Sequence, residues 1–327
     1  MKSLQKKSIA KYALLAVLLL LLPLALNAAG FTYGVMILCF ATLYIIATSG
    51  LDILFGYCGQ ISMGHAAFFA IGAYGSVMLH KYCGIPVIFT MIIASVLATI
   101  AGAILAYPCS KLVFHFLSLA TIAFAEVVHT LLLNSPGNVT GNAVGMFTDP
   151  ISLFGFKLDH STSFYYFGVA MMCLFLLAKY MMTRSKTGRA WIAIRENTHA
   201  ANGMGIDVTR YKVSAFATSA FFTGFAGAMY AHLVRYIGPD TFTMKQSVMF
   251  VTMMLFGGTG SIWGPICGAL VVLLFNEGLR SLEQYQMLVY GILLLIVIVA
   301  VPGGLYGATK KLYKKLTTRK GDKTNAA

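Results

Sequence analysis

Long apolar blocks, separated by short polar or Gly/Pro-containing breaks, run through almost the whole chain. A helix needs about 20 apolar residues to cross the hydrocarbon of a bilayer. Of the 327 residues, 58% are hydrophobic and 10% are charged, against roughly 25% charged residues in soluble domains. We therefore predict an all-α fold, a polytopic transmembrane helical bundle that forms one domain over residues 1–327, with about eight full spans plus a Gly-rich re-entrant pair. The apolar blocks lie at 12–26, 33–54, 61–80, 85–107, 112–133, 163–182, 213–234 and 287–302.

The first block could belong to a retained helix or to a cleaved signal peptide. Lysines precede it, and the small residues Ala28 and Ala29 follow it, a pattern that both kinds of segment share. We favour a retained helix. Both alternatives place Gly30 outside the cell, so the topology of the remaining chain is unaffected.

The basic residues are concentrated in three zones. Residues 1–11 contain four of the 24 Lys and Arg residues, and 179–212 and 310–323 contain seven each. Cytoplasmic segments of membrane proteins are enriched in Lys and Arg, so all three zones, including the basic tail 309–327, are predicted to be cytoplasmic. The net charge of +14 requires no nucleic acid, because basic ends also favour anionic lipid. The polar loop 134–161 is then external.

A Gly-rich stretch at 247–276 is predicted not to cross the membrane. Three crossings after the central basic zone would place the basic tail outside, against the charge rule. The stretch carries FGGTGSIWGP at its centre, which would interrupt a helix. We interpret it as a re-entrant pair of half-helices, with Gly257, Gly258 and Gly260 in the break and assigned to the translocation pathway.

The stretch LFGYCGQISMGHAAFFAIGAY, from Leu54 to Tyr74, combines glycines with polar residues inside apolar sequence. Lipid cannot satisfy free backbone groups, so a broken segment at membrane depth must be buried in protein or line a wet cavity. Broken helices of this kind line substrate routes in transporters. The alternative is close helix packing through small residues. The residues assigned to the pathway are Gly56, Gly59, Gln60, Ser62, Gly64 and His65.

The two Gly-rich stretches resemble each other. LFGYCGQI at 54–61 and LFGGTGSI at 255–262 agree at five of eight positions. Internal repeats are common in transporters, with the solute site at the repeat interface. Eight residues could also agree by chance in a Gly-rich chain, so both origins stay open.

Glu126 is an acid well inside its predicted span, and we assign it to the pathway. At 100° per residue it shares a helix face with His115, Ser118 and His129. This face is expected to point into the bundle, since a carboxylate facing lipid costs several kcal/mol. Glu126 could line or gate a route, or form a hydrogen bond between helices. Asp52, near the end of its span, is open to the same two interpretations.

The loop 183–212 is too polar to span the membrane and is patterned for short helices. We predict one helix at 189–196, capped by Thr187, and a second capped by Asn197 or Thr198. Two helices on the cytoplasmic face would form a docking surface; the alternative is an amphipathic helix resting on lipid. The anchors would be Trp191, Ile192 and Ile194, and the orienting charges would be Arg195 and Glu196.

The same loop carries a family pattern, E-x-x-x-A-A-x-x-x-G-I, which begins at Glu196. This pattern resembles the cytoplasmic EAA loop of bacterial ABC importer permeases. The sequences TGRAWIAIRE, GIDVTRYK, FGGTGSIWGPICGA and GYCGQISMGHAAFFAIGAY are similar to the M-type membrane subunit of branched-chain amino acid importers. The resemblance covers most of the chain from Leu51 onward.

The resemblance implies the transmembrane subunit of an ATP-driven importer, forming a route for branched-chain or related amino acids. ATP would be bound by partner subunits, so the chain is expected to be no enzyme and to carry no cofactor. The implied partners are a second homologous permease subunit, two ATPase subunits and an extracytoplasmic solute-binding protein, in the bacterial cytoplasmic (inner) membrane. The residues that it assigns to ATPase coupling are Gly188, Arg189, Arg195, Glu196, Ala200, Ala201 and Gly205.

One departure from the family pattern lies in the external loop. The family's T-G-G-x-D-G-L run is TGNAVGM at 140–146, without the second Gly and the acid. This leaves room for another solute, such as urea, a short amide or another amino acid.

Two other classes of function are less favoured. A membrane metalloenzyme is suggested by Glu126-x-x-His129, half of a di-iron motif, but the chain has no second copy, and its six cysteines are scattered singly. A passive channel would not need the docking loop. No Walker A motif is present, as expected of a chain that leaves ATP hydrolysis to partners.

Overall fold

A computed structural model describes residues 20–28, 30, 32–110, 114–153, 156–157 and 160–278, together with the isolated positions 285, 288, 289, 291, 292, 295, 304 and 307. Most of the predicted first and last spans, at 12–26 and 287–302, and the basic tail 309–327 lie outside the described residues. Residues 20–28 are helical.

The described chain is predominantly helical, which confirms the predicted all-α class. Its helices are α1 Thr32–Asp52, α2 His65–Cys83, α3 Val87–Cys109, α4 Phe114–Leu133, α5 Ser161–Arg184, α6 Lys186–Glu196, α7 Thr198–Gly203, α8 Val208–Val234, α9 Met244–Gly257 and α10 Trp263–Gly278.

Glycine and proline set the boundary between two of the long helices. α2 stops at Gly84, whose backbone is left-handed with φ 65°, and α3 begins after Pro86. Among the described residues, four helical segments are long and apolar enough to cross a membrane: 33–57, 87–109, 116–133 and 161–184. The count of eight spans stays a prediction.

Helix α8 lies at the centre of the described fold and packs against α1, α2 and α3. Its sequence is rich in small residues, which lets backbones approach closely. A Cβ on Gly227 would lie 2.0 Å from the Phe69 carbonyl oxygen, and one on Gly72 would lie 1.9 Å from that of Gly224. The α2–α8 contact therefore depends on glycine at both positions.

The loop 134–161, which we predict to be external, is tied to the end of α8 by a short antiparallel ladder. Strand β1, Met146–Phe147, pairs with β4, Tyr236–Ile237; strands β2, Ser152–Leu153, and β3, Phe156–Lys157, form a separate pair. The run 140–146, which departs from the family pattern, therefore ends at the first residue of a paired strand.

Helices α9 and α10 form a tight hairpin with a break between them, as the Gly-rich sequence predicted. They contain 14 and 16 residues, fewer than the roughly 20 needed to cross the hydrocarbon. A Cβ on Gly257 would lie 1.7 Å from the Gly264 carbonyl oxygen, and one on Gly268 would lie 1.7 Å from that of Met253. Glycine thus allows the two helices to touch backbone to backbone.

Candidate functional site

Helix α1 does not stop at Asp52 but continues as one π-helical turn, Ile53–Tyr57. The chain then runs without regular structure to Gly64, and α2 begins at His65. We call Ile53–Gly64 the first break, and 258–262, between α9 and α10, the second break. Both lie at predicted Gly-rich positions. π turns are rare and are frequently found at functional sites.

A buried ion pair lies at the start of the first break. The Lys179 ammonium, on α5, is 2.7 Å from Asp52 Oδ2, and both side chains are fully buried. Isolated buried charges are strongly unfavourable, so each of these groups requires the other. The pair therefore fixes α5 against the end of α1.

The same ion pair joins the two breaks. Gly260 N–H donates to Asp52 Oδ1 at 2.7 Å, and the Lys179 ammonium donates to the Ser261 carbonyl at 3.1 Å. Gly56 is packed between them, since a Cβ there would lie 2.2 Å from Asp52 Oδ1 and 2.5 Å from Gly260 N. A movement of either break must therefore displace the other or disrupt this pair.

Helix α6, which we predict to be cytoplasmic, reaches the first break through Arg195. Its guanidinium donates to the Gly56 carbonyl, while 44% of the side chain is exposed. A Cβ on Gly59, which has φ +72°, would lie 2.9 Å from Arg195 Cγ. One residue of the predicted coupling segment thus lies directly on a predicted pathway segment.

Gly59 can be tested against a glycine with the same backbone conformation. Replacing Gly59 with Ala introduces strain at positive φ, on the order of 1–2 kcal/mol, and also pushes against Arg195. Gly84→Ala is the matched control, because Gly84 has φ +65° and open space around its Cβ position.

We expect Gly59→Ala to lose most uptake and Gly84→Ala to lose only stability, measured as solute uptake per folded protein and as melting temperature. Equal uptake by the two variants would mean that Gly59→Ala acts through backbone strain alone and that the first break has no special role in uptake.

His65 joins α2 to α8 at the end of the first break. Its Nδ1 lies 3.0 Å from Ser62 Oγ, and its Nε2 lies 2.7 Å from Ser219 Oγ. All three side chains are buried. Ser62 and His65 were assigned to the pathway from the sequence, and the structure places them in a hydrogen-bonded contact between helices.

Two other predicted pathway residues, Gly64 and Gln60, differ in their surroundings. Gly64 is a packing residue, because a Cβ there would lie 2.1 Å from the Thr121 carbonyl oxygen; here the small-residue alternative is the better description. Gln60 is buried, and its Oε1 has no hydrogen-bond partner among the described residues.

Glu126 does not point into the described bundle. Its side chain is 70% exposed and lies 4.0 Å from His129, so the predicted inward face was wrong for this residue. Helix α4 is mostly uncovered in the single chain, but the His129 side chain on the same face is only 15% exposed. Ser118 is part-buried, and the His115 side chain lies outside the described residues. Within the described part of the chain, no group of three metal-ligating side chains occurs.

The coupling segment consists of two short helices, as predicted, with one cap reassigned. Ser185, rather than Thr187, caps α6 by accepting from Gly188 N–H at 3.4 Å. Asn197 caps α7 by accepting from Ala200 N–H at 3.0 Å. Both caps satisfy helix N–H groups that would otherwise lack a partner.

Trp191 is not available as a docking anchor. It is fully buried, and its indole N–H donates to the Tyr211 carbonyl at 3.0 Å. The sequence showed an amphipathic helix but not which surface its apolar face covers; that face, with Ile194, packs within this chain. Ile192 is 40% exposed and stays open to a partner.

The remaining predicted coupling residues lie on both faces of the segment. Glu196 is 72% exposed, whereas Ala201 is buried. Gly188 packs tightly, since a Cβ there would lie 2.2 Å from the Thr183 carbonyl oxygen. Arg189 donates to the Arg184 carbonyl. The other members are Ala200, in the first turn of α7 and exposed, and Gly205, with φ +82° and open space around it.

Sequence reasoning missed Lys179, which was counted with the cytoplasmic basic zone. The structure places it inside α5, so it contributes no loop charge. A signal was present, because an acid near a span end, Asp52, requires a cationic partner within the bundle.

Comparison with known proteins identifies related permeases. Residues 33–298 match the family described as branched-chain amino acid transport system / permease component. The high-affinity branched-chain amino acid transport system permease protein LivM of Escherichia coli (strain K12) is 30% identical over 296 residues, covering 83% of this chain and 69% of that protein.

Two further relatives show the breadth of similarity. A probable branched-chain amino acid transport permease protein LivM of Methanocaldococcus jannaschii is 24% identical over 321 residues, covering 83% of this chain and 92% of that protein. The ribose import permease protein RbsC of Haemophilus influenzae is 26% identical over 282 residues, covering 82% and 81%. No solved structure matches the chain at a significant level.

Proposed function

Because this chain belongs to the branched-chain amino acid permease component family of ABC transport systems, we propose that it forms the route for a branched-chain amino acid in an ATP-driven importer. The chain binds no cofactor itself and hydrolyses no ATP. Its partners are a second homologous permease subunit, two ATPase subunits and an external solute-binding protein, in the cytoplasmic (inner) membrane.

The hydrogen bond from Arg195 to the Gly56 carbonyl is the observation that carries this proposal. ATP binding closes the ATPase dimer, and the docked segment α6–α7 moves with it. Arg195 transmits that movement to the first break, and the ion pair of Asp52 and Lys179 transmits it to the second. The contacts thus form a continuous path from the cytoplasmic face to both Gly-rich breaks.

One feature supports the second permease subunit, and another supports the re-entrant topology. Glu126 is exposed within a predicted span, where a carboxylate facing lipid would cost several kcal/mol; the second permease subunit is the occupant that we assign to this face of α4. The α9–α10 hairpin is too short for two full crossings, which supports its assignment as a re-entrant pair.

Reconstitution tests the function and the solute together. The complex, with its binding protein and ATPase subunits in proteoliposomes, is expected to take up leucine only with ATP, and leucine should stimulate ATP hydrolysis. Ribose and urea serve as comparison solutes. Uptake of ribose or urea in place of leucine would contradict the assigned solute, and leucine uptake without ATP would contradict the importer.

A further inference from the structure

A polar pocket lies where the chain enters α9. Its volume is about 200 Å³, several times the roughly 30 Å³ that a water occupies in the liquid, so it can hold a small solute. We call it the α9 pocket. It is lined mainly by Tyr44, Asp240, Lys245, Gln246, Met249 and Asn276.

The pocket extends from the exposed Asp240 inward to helix α1. Tyr44 is the thirteenth residue of the 21-residue helix α1. Ser247, in the first turn of α9, accepts a hydrogen bond from Ala66 N–H at 2.9 Å, at the start of α2. The segment before α9 is held inward by Phe242, whose ring centroid is 5.8 Å from that of Phe69.

The pocket holds two opposite charges that do not neutralise each other. Asp240 lies in the 3-10 turn Pro239–Phe242, and Lys245 lies in the first turn of α9. Neither forms an ion pair within the described residues. Asp240 is exposed and Lys245 is partly buried, so the pocket presents both signs of charge to a molecule that enters it.

The donors on the α9 side fit a carboxylate. The Gln246 side-chain nitrogen is buried and has no acceptor among the described residues. The N-cap residue, Thr243, makes no side-chain cap hydrogen bond, which leaves the first N–H groups of α9 unsatisfied by that side chain. A lysine at this end is unfavourable for the helix dipole on its own, and an anion there would reverse that effect.

We propose that the α9 pocket is a subsite for the zwitterionic head group of an α-amino acid. Lys245 and the Gln246 amide bind the carboxylate, and Asp240 binds the ammonium group. Met249, buried beside them, offers an apolar wall to the side chain. A sugar or urea carries no charges to match this pair. The proposal rests on the proposed function and deepens it, by naming the groups that recognise the solute.

The test separates the two charges with leucine and two analogues. Leucinamide keeps the ammonium group and lacks the carboxylate, and 4-methylpentanoate keeps the carboxylate and lacks the ammonium group. Binding of each is measured to the assembled permease–ATPase complex in nanodiscs without binding protein. The variants are Lys245→Gln and Asp240→Asn, and Lys81→Gln, which removes an exposed charge at the end of α2, is the control.

We expect Lys245→Gln to weaken leucine and 4-methylpentanoate binding roughly tenfold or more and to spare leucinamide, since hydrogen bonds to charged groups are of that magnitude. Asp240→Asn should weaken leucine and leucinamide and spare 4-methylpentanoate. Lys81→Gln should match the wild type. An equal loss for all three ligands, or wild-type binding of leucine no tighter than of either analogue, overturns the subsite.

Leucine uptake by the full complex with binding protein separates this proposal from the function on which it rests. Wild-type uptake that both pocket variants match at leucine concentrations well below saturation overturns the subsite and leaves the importer standing. A wild-type complex that takes up no leucine overturns the proposed function and the subsite with it.

Discussion

Replacing Lys179 with methionine is expected to destabilise the protein strongly and to abolish uptake. The change leaves the Asp52 carboxylate fully buried without its cation, and breaking a buried ion pair typically costs about 3–5 kcal/mol. It also removes the donor to the Ser261 carbonyl, which loosens the second break. Melting temperature in detergent and leucine uptake in proteoliposomes measure the two effects.

Two further variants define what the ion pair does. Lys186→Met, at an exposed position at the start of α6, should leave the melting temperature and leucine uptake unchanged. The double variant Asp52→Asn with Lys179→Met removes both charges and should regain part of the stability, because no unpaired charge stays buried. Uptake should not return, since the two breaks are no longer joined. A single Lys179→Met variant with wild-type melting temperature would contradict the assigned role.

The positions of both breaks could be predicted from the sequence, because they follow from local chemistry. Closely spaced glycines with polar residues in apolar sequence favour an interruption of the helix, whereas Gly224 and Gly227 lie within the continuous helix α8. The predicted break in 247–276 lies between α9 and α10, and the first break begins at the π turn 53–57. The backbone conformation at these positions, including the π turn, could not be predicted and is known only from the structure.

The contacts between the breaks could not be predicted, because they join residues far apart in sequence. Asp52 and Lys179 are separated by 127 positions, and no local pattern selects one lysine from a basic zone. Periodicity failed in a similar way at Trp191 and Glu126. It showed which residues share a helix face, but not whether that face meets the same chain, a partner or lipid.

Asp240 and Lys245 were missed for a related reason. They lie in and just after a short connection between helices, which a sequence normally places at the surface. The connection is drawn inward by aromatic packing of Phe242, which also lies 5.5 Å from the Tyr74 ring centroid. The sequence does not show that charges in such a short connection line a pocket; the structure does.

Replacing Arg195 with methionine is expected to uncouple ATP hydrolysis from uptake. Methionine keeps an apolar stem beside Gly59 and removes the hydrogen bond to the Gly56 carbonyl. Hydrogen bonds from charged donors contribute about 1.5–3 kcal/mol, which corresponds to a loss of roughly tenfold or more in uptake per ATP. ATPase subunits should still co-purify, because the exposed surface of α6 and α7 is otherwise intact.

The matched control is Glu196→Gln on the next residue. Its side chain is 72% exposed and lies 4.0 Å from Arg195, so its contribution is expected to be small and confined to partner docking. Arg195→Lys should recover little, since the ammonium lacks the planar fork of the guanidinium. Wild-type uptake per ATP in Arg195→Met would contradict the transmission path. Loss of ATPase co-purification in that variant would instead make Arg195 a docking residue, because a contact inside the permease should not change how tightly its partner binds.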